Sequence, residues 1–400
     1  MKIDRRNPRH GLYLLLMGFN VVAAIILRPL LHRRSSGKVL LYGHKRNGNL
    51  LAIHEWGLAH RSQAPDMSYL TMDPTYYRQL RREGVPCVLA IAPSAIRWLA
   101  TADAIVSDHG LHAMRFMLGT TDMKFFDVWH GIPFKGFDAD DFRLQHRYDE
   151  VWLASVLMER LYVERFGFNR QQLEVTGYAR TDMLVGGDHI DSERIRRKLG
   201  IPNERKVVLF APTWAQDERG RSLFPFGIKA DKFHEVMSDL ALRENATIIL
   251  RRHLNSGAKE DRAGDYPGLL SLPYADWPNA EEILLASDIL VCDWSSIAFD
   301  YLVLERPTVF LDVPAPFSKG FSLDATYRFG AVAGSMVETV ELVEGFLRDP
   351  AAYARVCGDR SKRIKHLVYG GNADGAAASR CVGRLSTALG YECPSAQRGE

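Results

Sequence analysis

The sequence is short of the residues and motifs on which several common protein classes depend. Its 400 residues include only 5 cysteines, an odd number, scattered with no Cys-x-x-Cys pair. This pattern argues against a disulfide framework or a cysteine-based zinc site and indicates separate thiols in a reducing compartment. No Gly-x-Gly-x-x-Gly follows a predicted strand, which argues against a nicotinamide enzyme, and the loop at 43–48 lacks the Gly-Lys-Ser/Thr of a Walker loop.

The chain also lacks a large excess of either charge. Lys and Arg number 51 against 48 Asp and Glu, for a formal net charge of +3. A near-balanced chain has no overall field that would favour nucleic acid, and none is expected as a partner. Hydrophobic residues make up 46% and charged residues 25%, as in globular proteins, and the length indicates two domains.

A long apolar run is present near the N-terminus, at residues 11–27, interrupted only by Asn20. As a helix it would be about 26 Å long, somewhat short of a ~30 Å hydrocarbon core, and it reaches Leu31 only if Arg28 snorkels. No small-residue cleavage site follows, which argues against a removed signal peptide. Basic residues flank the run: Lys2, Arg5, Arg6, Arg9, Arg28, Arg33 and Arg34. We expect a helix on, or dipping into, an anionic cytoplasmic leaflet, with a spanning helix or a buried core helix as alternatives.

After residue 37, short β-rich runs alternate with helical stretches in two series. The strands show no in/out alternation of hydrophobic residues, which is typical of parallel sheets covered on both faces. The predicted strands are 39–42, 85–92, 104–107, 125–129 and 150–154, then 206–210, 246–250, 290–292 and 307–311. Helices are predicted at 232–243, 280–287, 297–304 and 337–347.

These two series predict an α/β protein with two doubly wound, Rossmann-like domains and a cleft between them. The predicted ranges are 1–37 for the membrane-associating segment, 38–186 for the N-terminal domain and 187–393 for the C-terminal domain. Ligands of such folds bind beyond the carboxyl ends of the strands, so we treat the polar residues at those ends as one candidate site.

His130 follows the predicted strand at 125–129 and precedes a Gly-Ile-Pro turn. The turn would expose the imidazole, whose ordinary pKa allows it to take a proton from a hydroxyl at neutral pH. A general base of this kind contributes ~10²–10⁴-fold to a rate. Taken alone, the motif fits a helix-capping loop histidine equally well.

Two clusters follow strands of the second series. Arg251, Arg252 and His253 would form an anion site suited to a diphosphate, or else a solvated basic turn. Ser295 and Ser296 fall at the start of a helix, where hydroxyls and backbone N–H groups bind phosphate or simply cap the helix.

Three further positions have weaker patterns. Asp300 lies one helical turn beyond the serine pair. It would bind a ribose hydroxyl or have a structural, capping role. Thr213 would contact phosphate, and Trp214 would stack on a base. The pattern is nearly as consistent with Trp214 as an aromatic plug at the domain surface. The acidic run at 138–141 is more typical of a helix start than of a metal site.

Five motifs occur in one order along the chain, each at a strand end. They are WHGIPFK (129–135), VTGYARTD (175–182), FAPTW (210–214), RRH (251–253) and DWSSIAFDY (293–301). Together they resemble the CDP-glycerol glycerophosphotransferase family, whose members prime and polymerise teichoic acids and related capsule polymers. The resemblance spans roughly residues 40 to 365.

The resemblance implies a GT-B fold, a membrane-surface enzyme and a CDP-polyol donor. It makes the N-terminal domain the acceptor side and the C-terminal domain the donor side. It assigns His130 as catalytic base and His253 as the histidine that meets the donor diphosphate. The donor-binding residues expected are Thr213, Arg251, Arg252, Ser295, Ser296 and Asp300. Arg180 and Asp182 lie in a hinge-side motif to which we give a structural role.

We therefore predict transfer of glycerol phosphate, or a related polyol phosphate, to a membrane-linked acceptor, with release of CMP. The donor would be CDP-glycerol or CDP-ribitol, the acceptor lipid-linked, and the location the cytoplasmic face of the membrane. No metal or other cofactor is required, although a divalent metal is compatible. The family's polymerases usually carry a further N-terminal region, so this sequence favours a short primase-like or capsule-type member. The alternatives are a GT-B glycosyltransferase that uses a UDP-sugar and a non-catalytic scaffold.

Overall fold

The computed structural model describes residues 3, 7–32, 36–186, 189–213, 224–251, 263–274 and 276–391. These residues form two compact units, each described by itself. The first unit comprises the described parts of 1–130, 139–182 and 372–391, and the second comprises those of 131–138 and 183–371. Both units are therefore discontinuous in sequence, whereas the sequence patterns suggested contiguous ranges.

Each unit contains one sheet in which all strands run parallel, which confirms the predicted α/β class with two parallel sheets. The first sheet has the order β3-β2-β1-β4-β5-β6-β7 and the second the order β10-β9-β8-β11-β12-β13. The strands are β1 (Lys38–Tyr42), β2 (Asp66–Thr71), β3 (Cys87–Leu89), β4 (Ala104–Ser107), β5 (Lys124–Asp127), β6 (Glu150–Leu153), β7 (Leu173–Val175), β8 (Lys206–Phe210), β9 (Ala246–Leu250), β10 (Leu269–Ser271), β11 (Ile289–Cys292), β12 (Thr308–Leu311) and β13 (Ala331–Ala333).

Helices connect these strands. They are α1 (Pro8–Leu31), α2 (Gly48–Ala59), α3 (Pro74–Arg82), α4 (Ser94–Thr101), α5 (Val156–Glu164), α6 (Asp182–Gly186), α7 (His189–Lys198), α8 (Ala230–Arg243), α9 (Ala280–Ala286), α10 (Ile297–Leu302), α11 (Met336–Arg348), α12 (Pro350–Tyr369) and α13 (Ala377–Leu389). Central strands such as β4 and β11 are buried at every residue. Their continuous hydrophobicity is therefore what a sheet covered on both faces requires.

Several helix ends are fixed by local sequence signals. Asp73 caps α3 by accepting hydrogen bonds from the backbone N–H groups of Thr75 and Tyr76. Ser335 caps α11, where its hydroxyl accepts from the N–H of Glu338. Such caps satisfy backbone donors that the helix itself leaves without partners. The helix α12 ends at Gly370, which adopts the left-handed conformation that glycine takes without strain.

The N-terminal helix α1 is part of the first unit. Met17, Val21 and Ala24 are completely buried in its core. The Asn20 amide donates to the carbonyl oxygens of Ala90 and Ala92, both at 2.9 Å. The opposite face is apolar and exposed along the whole helix, at Leu12, Leu15, Phe19, Val22, Ile26 and Leu30. The helix is long and apolar enough to cross a membrane, but one of its faces already has a protein partner.

The C-terminal end of α1 is held by charged groups. Arg28 is buried, and its Nε lies 2.5 Å from Oδ1 of Asp122 while Nη1 donates to the carbonyl oxygen of Ala102 at 2.7 Å. His32 Nε2 lies 2.8 Å from Oδ1 of Asp103. The snorkelling of Arg28 that a membrane-embedded end would need is therefore not observed.

The last described helix, α13, returns to the first unit and packs on α2. Its first turn is capped by a distant residue, because the Asp182 carboxylate accepts from the backbone N–H groups of Ala377 at 3.0 Å and Ala378 at 2.7 Å. Farther along α13, Arg384 forms a two-pronged ion pair with Glu150 on β6. The structural role predicted for Asp182 is therefore confirmed as a helix cap.

The segment 131–138 belongs to the second unit. Lys135 forms an isolated antiparallel bridge with Phe321, and the N–H of Gly136 donates to the carbonyl oxygen of Gly320 at 2.7 Å. A Cβ at position 136 would lie 2.3 Å from the carbonyl oxygen of Lys319, so only glycine permits this approach. The residues that follow His130 are thus fixed by backbone contacts.

We predict that Asp182→Ala loosens α13 without unfolding the sheet. Loss of a capping carboxylate costs about 1 kcal/mol, which corresponds to roughly fivefold faster local opening. Hydrogen–deuterium exchange of the α13 amides, followed by mass spectrometry, measures this effect. Asp359→Ala, at an exposed position in α12, is the matched control and should leave the exchange of α13 unchanged. Equal exchange in both variants would contradict the assigned cap.

Candidate active site

The register of the first sheet brings three loops together. Tyr42 pairs with Ser107, and Ser107 pairs with Asp127, so β1, β4 and β5 end at the same level. The chain leaves β1 at Gly43 and His44, leaves β4 at Asp108 and His109, and reaches His130 soon after β5. Since carboxyl ends of parallel strands meet at one sheet edge, these side chains form a single cluster. We call it the histidine cluster; His112, which follows β4 by five residues, completes it.

His130 is exposed to solvent at this edge, between two aromatic rings. Its ring stacks on His109 with centroids 4.9 Å apart and planes 11° apart, and it lies 4.3 Å from the Trp129 ring centroid. Trp129 has a positive φ of 42°, an uncommon conformation for a bulky residue, which turns the chain sharply before His130. The Nη1 of Arg180 donates to the carbonyl oxygen of His130 at 2.8 Å.

One hydrogen bond determines which His130 nitrogen carries the proton. Nδ1 lies 3.2 Å from the main-chain carbonyl oxygen of Asp108. A carbonyl oxygen only accepts, so Nδ1 must be the donor and Nε2 of the neutral ring has its lone pair available. His130 therefore presents an unprotonated nitrogen, as a general base requires.

The surroundings of His130 favour its neutral form. Desolvation by the crowded protein atoms and the nearby positive charge of His109 lower the pKa of His130 to about 4. Above pH 5 the ring is neutral, and no proton has to leave it before it accepts one.

Asp108 and His109 form a tight pair beside that ring. The Asp108 carboxylate is buried, and its Oδ1 lies 2.6 Å from Nδ1 of His109. Burial alone would lower the pKa of His109, but the attraction and hydrogen bond of Asp108, assisted by Asp127, raise it above its ordinary value. His109 is thus the ring of the cluster that most readily holds a charge.

The other rings of the cluster are kept neutral. Burial and the neighbouring His109 lower the pKa of His44 to about 3, and burial lowers that of His112 to about 4. The Tyr42 hydroxyl lies 2.7 Å from Nδ1 of His112. Beneath the cluster, complete burial raises the pKa of Asp127 to about 7.

In the second unit, the ends of β8 and β11 form a separate polar pair. The N–H and hydroxyl of Thr213 donate to Oδ1 of Asp293 at 2.6 and 2.5 Å. Both residues line a cavity of about 270 Å³. Its other walls are Pro212, Phe224, Pro225, Phe226, Gly227, Leu311, Asp312, Val313 and Pro314. Of the predicted donor-side residues that the structure describes, Thr213 lines this cavity.

The other described donor-side residues lie around the same sheet edge. Arg251 directly follows β9, with Nη1 donating to the carbonyl oxygen of Trp277 at 3.0 Å. Ser295 and Ser296 precede α10 and are half-buried, and the Ser296 hydroxyl makes no capping bond to the helix. Asp300 is buried within α10 and is not among the residues that line the cavity. Arg252 and His253 lie outside the described residues, as does Trp214.

Four cluster members, His44, Asp108, His109 and His112, are absent from the residues predicted from sequence. The signal was available, because Gly43-His44 and Asp108-His109 directly follow predicted strands, as His130 does. Arg180, predicted to be structural, contacts the His130 main chain directly. Asp293, part of a noted motif but not a predicted site residue, positions Thr213.

Residues 39–385 match the family described as CDP-Glycerol:Poly(glycerophosphate) glycerophosphotransferase. The chain is similar to a teichoic acid glycerol-phosphate transferase of Staphylococcus aureus, with 29% identity over 50% of this chain and 56% of that protein. It is also similar to a teichoic acid poly(glycerol phosphate) polymerase of Bacillus subtilis, with 24% identity over 76% of this chain and 42% of that protein. The chain thus spans about half the length of these relatives.

Among solved structures, the wall teichoic acid polymerase TagF has the same fold. The two structures superpose with a TM-score of 0.70 at 17% identity, over 96% of this chain and 98% of that one. At this identity the likeness concerns the fold alone.

We predict that Gly43→Ala disturbs the histidine cluster. A Cβ at position 43 would lie 2.5 Å from Oδ1 of Asp108 and 2.7 Å from Cδ1 of Leu50, both in buried surroundings. Overpacking of this kind costs roughly 1–3 kcal/mol, which chemical denaturation detects. Gly110→Ala is the control, since nothing lies within 4 Å of the new methyl group. Equal stability of the two variants would show that the close approach at Gly43 is not required.

Proposed function

Because the chain belongs to the CDP-glycerol:poly(glycerophosphate) glycerophosphotransferase family, we propose that it transfers glycerol phosphate, or a related polyol phosphate, from a CDP-activated donor. The acceptor is a hydroxyl of a membrane-linked molecule in cell-surface polymer synthesis, and CMP is the second product. The proposal includes the GT-B fold. The observation that carries it is His130, a neutral, solvent-exposed imidazole with a defined lone pair, located within the family match.

In the proposed reaction, Nε2 of His130 accepts the proton of the acceptor hydroxyl. The oxygen attacks the β-phosphorus of the donor, the bond between β-phosphorus and bridging oxygen breaks, and CMP leaves with that oxygen. The bound diphosphate is anionic and favours the imidazolium that forms, so His130 becomes a stronger base when the donor is present. Phosphoryl transfer depends mainly on positioning and electrostatics, so no covalent intermediate is needed.

The second unit supplies the donor side of the proposal. Thr213 lies at the cavity wall with its N–H and hydroxyl both donating to Asp293, and Arg251 lies at the end of the adjacent strand. Contact of Thr213 with the donor phosphate stays a prediction. Arg252 and His253 follow Arg251 directly in sequence and stay predictions for the diphosphate contact. Ser295 and Ser296 stay predictions for a phosphate oxygen. Asp300, which is buried within α10, stays a prediction for a ribose hydroxyl.

No resident cofactor is required by this chemistry. Guanidinium groups and hydroxyl or N–H donors stabilise charge on a leaving diphosphate without a metal ion. A divalent cation that accompanies the donor diphosphate is compatible with the same mechanism.

The decisive experiment identifies the released nucleotide. The purified protein is offered CDP-glycerol, CDP-ribitol and UDP-sugars, each with a lipid-linked acceptor, and the products are separated by chromatography. We expect CMP from a CDP-polyol and no UDP from any sugar donor. Release of UDP alone would establish a glycosyltransferase instead, and the absence of CMP with every donor would overturn the proposal.

In the same assay we predict that His130→Ala lowers kcat by roughly 10²–10⁴-fold, the usual contribution of a general base. His366→Ala, at an exposed position in α12, is the control and should retain activity. Thermal unfolding of both variants checks that they are folded. A His130→Ala protein with normal turnover would exclude His130 as the base.

We further propose that α1 lies in the membrane interface with its long axis parallel to the surface. The exposed positions 12, 15, 19, 22, 26 and 30 form one apolar stripe, while the opposite face packs on α4 and the segment 112–117. If α1 crossed the bilayer, these protein partners and the charged Asp103 and Asp122 would enter the hydrocarbon with it, at high cost. An in-plane helix buries only its apolar face.

We predict that the double variant Phe19→Glu, Ile26→Glu binds phosphatidylglycerol vesicles at least about tenfold more weakly than the native chain. Both side chains are more than two-thirds exposed, so the fold should persist while apolar contact with lipid is lost. Vesicle co-sedimentation measures the binding. Leu242→Glu, an exposed leucine on α8 of the second unit, is the control. Unchanged binding of the double variant would exclude α1 as the membrane contact.

A further inference from the structure

Three imidazole rings of the histidine cluster lie in a row, with His109 tilted against His44 and stacked on His130. The ring centroids of His44 and His109 are 4.1 Å apart, and those of His109 and His130 are 4.9 Å apart. Charges at such distances repel strongly, so neighbouring rings do not readily hold protons together. The middle ring is therefore in a position to influence both outer rings.

Asp108 contacts two of these rings through different atoms. Its carboxylate Oδ1 lies 2.6 Å from Nδ1 of His109, and its main-chain oxygen lies 3.2 Å from Nδ1 of His130. Asp108 is buried, and Gly43 leaves room for its carboxylate. Asp108 thus stabilises a positive charge on His109 through its carboxylate. Through its main-chain oxygen it fixes the position of the proton on His130.

We propose that Asp108 and His109 are a positioning pair for His130: the Asp108 carbonyl keeps the His130 proton on Nδ1, and His109, held protonated by the Asp108 carboxylate, keeps the stacked His130 ring neutral. This inference rests on the proposed function of His130 as a base, and it adds two residues that need not touch substrate. A single proton on the middle ring leaves Nε2 of His130 open to the acceptor hydroxyl.

Other titratable or charged groups of the described chain act on the same rings. Arg180, before α6, opposes protonation of His130, and the Asp108 carboxylate favours it. His112 opposes a charge on His44, while Asp127 at the end of β5 supports the charge on His109. Because Asp127 itself titrates near neutral pH, with its pKa raised to about 7 by burial, the charge on His109 should weaken when Asp127 is protonated.

Histidine-selective isotope labelling of the full chain tests the pair without any substrate. The ring nitrogen shifts of His130, assigned by their loss in His130→Gln, report both its protonation midpoint and its tautomer. In the native chain we expect the Nδ1–H tautomer at pH 7 and a midpoint for His130 below that for His109. A His130 that protonates before His109, or that carries its proton on Nε2, would overturn the proposal.

Two variants then separate the charge of His109 from its shape. In His109→Gln the midpoint of His130 should rise by about one pH unit, because a neighbouring positive charge has been removed. In His109→Lys, which restores a positive charge, the midpoint should stay at or below the native value. If both variants move the midpoint equally, or neither does, His109 has a structural role only.

The kinetic arm asks whether this tuning affects catalysis. The acid limb of kcat/KM for CMP release should move to higher pH in His109→Gln and not in His109→Lys. If no donor yields CMP, the proposed function is wrong. The pH titrations of the histidine ring nitrogen shifts still test the role of Asp108 and His109 in that case. If CMP is released but the acid limb is the same in both variants and the native chain, the positioning role is excluded and the enzyme assignment stands.

Discussion

The hydrogen-bonded register of β1, β4 and β5 is the constraint on which the candidate chemistry depends. Tyr42, Ser107 and Asp127 are aligned across three neighbouring strands, so the chain leaves all three at one level. The side chains that follow are brought together by the sheet itself and not by a specialised loop. The same logic operates in the second unit, where β8, β9 and β11 are adjacent and place Thr213, Arg251 and Asp293 along one edge.

The pKa values of the clustered histidines follow from how closely their rings are packed at this sheet edge. Several imidazoles share a small volume with two buried carboxylates, Asp108 and Asp127, so protonation of any ring raises the free-energy cost of protonating the others. Asp108 favours the protonated form of His109, because that ring makes a direct hydrogen bond to its carboxylate. The result is a neutral His130 at the solvent-exposed end of the row. Its neutral state is explained by the neighbouring groups and needs no unusual property of His130 itself.

The sequence predicted the fold class and the central strands well, because buried parallel strands are continuously hydrophobic and their ends carry the polar residues. It missed β2, β7, β10 and β13, of which the last three are edge strands of three residues each. His130 and Thr213 were predictable from strand ends combined with family motifs. His109 and His44 belong to no such motif, and their role depends on ring stacking that appears only after folding. Likewise, the hydrophobicity of α1 is apparent in the sequence, but its buried face depends on Ala90, Ala92 and Asp122, which lie far along the chain.

The discontinuity of the first unit has a consequence for how the protein is made. The helix α13 packs on α2, accepts its cap from Asp182 and pairs with Glu150, yet it is translated after every residue of the second unit. The sheet of the first unit therefore emerges from the ribosome with part of one helical layer missing, and hydrophobic residues such as Ala378, Val382 and Leu385 arrive last to cover it. During synthesis this apolar surface stays exposed until α13 has been translated, and a chain that stops short of residue 377 leaves it permanently uncovered.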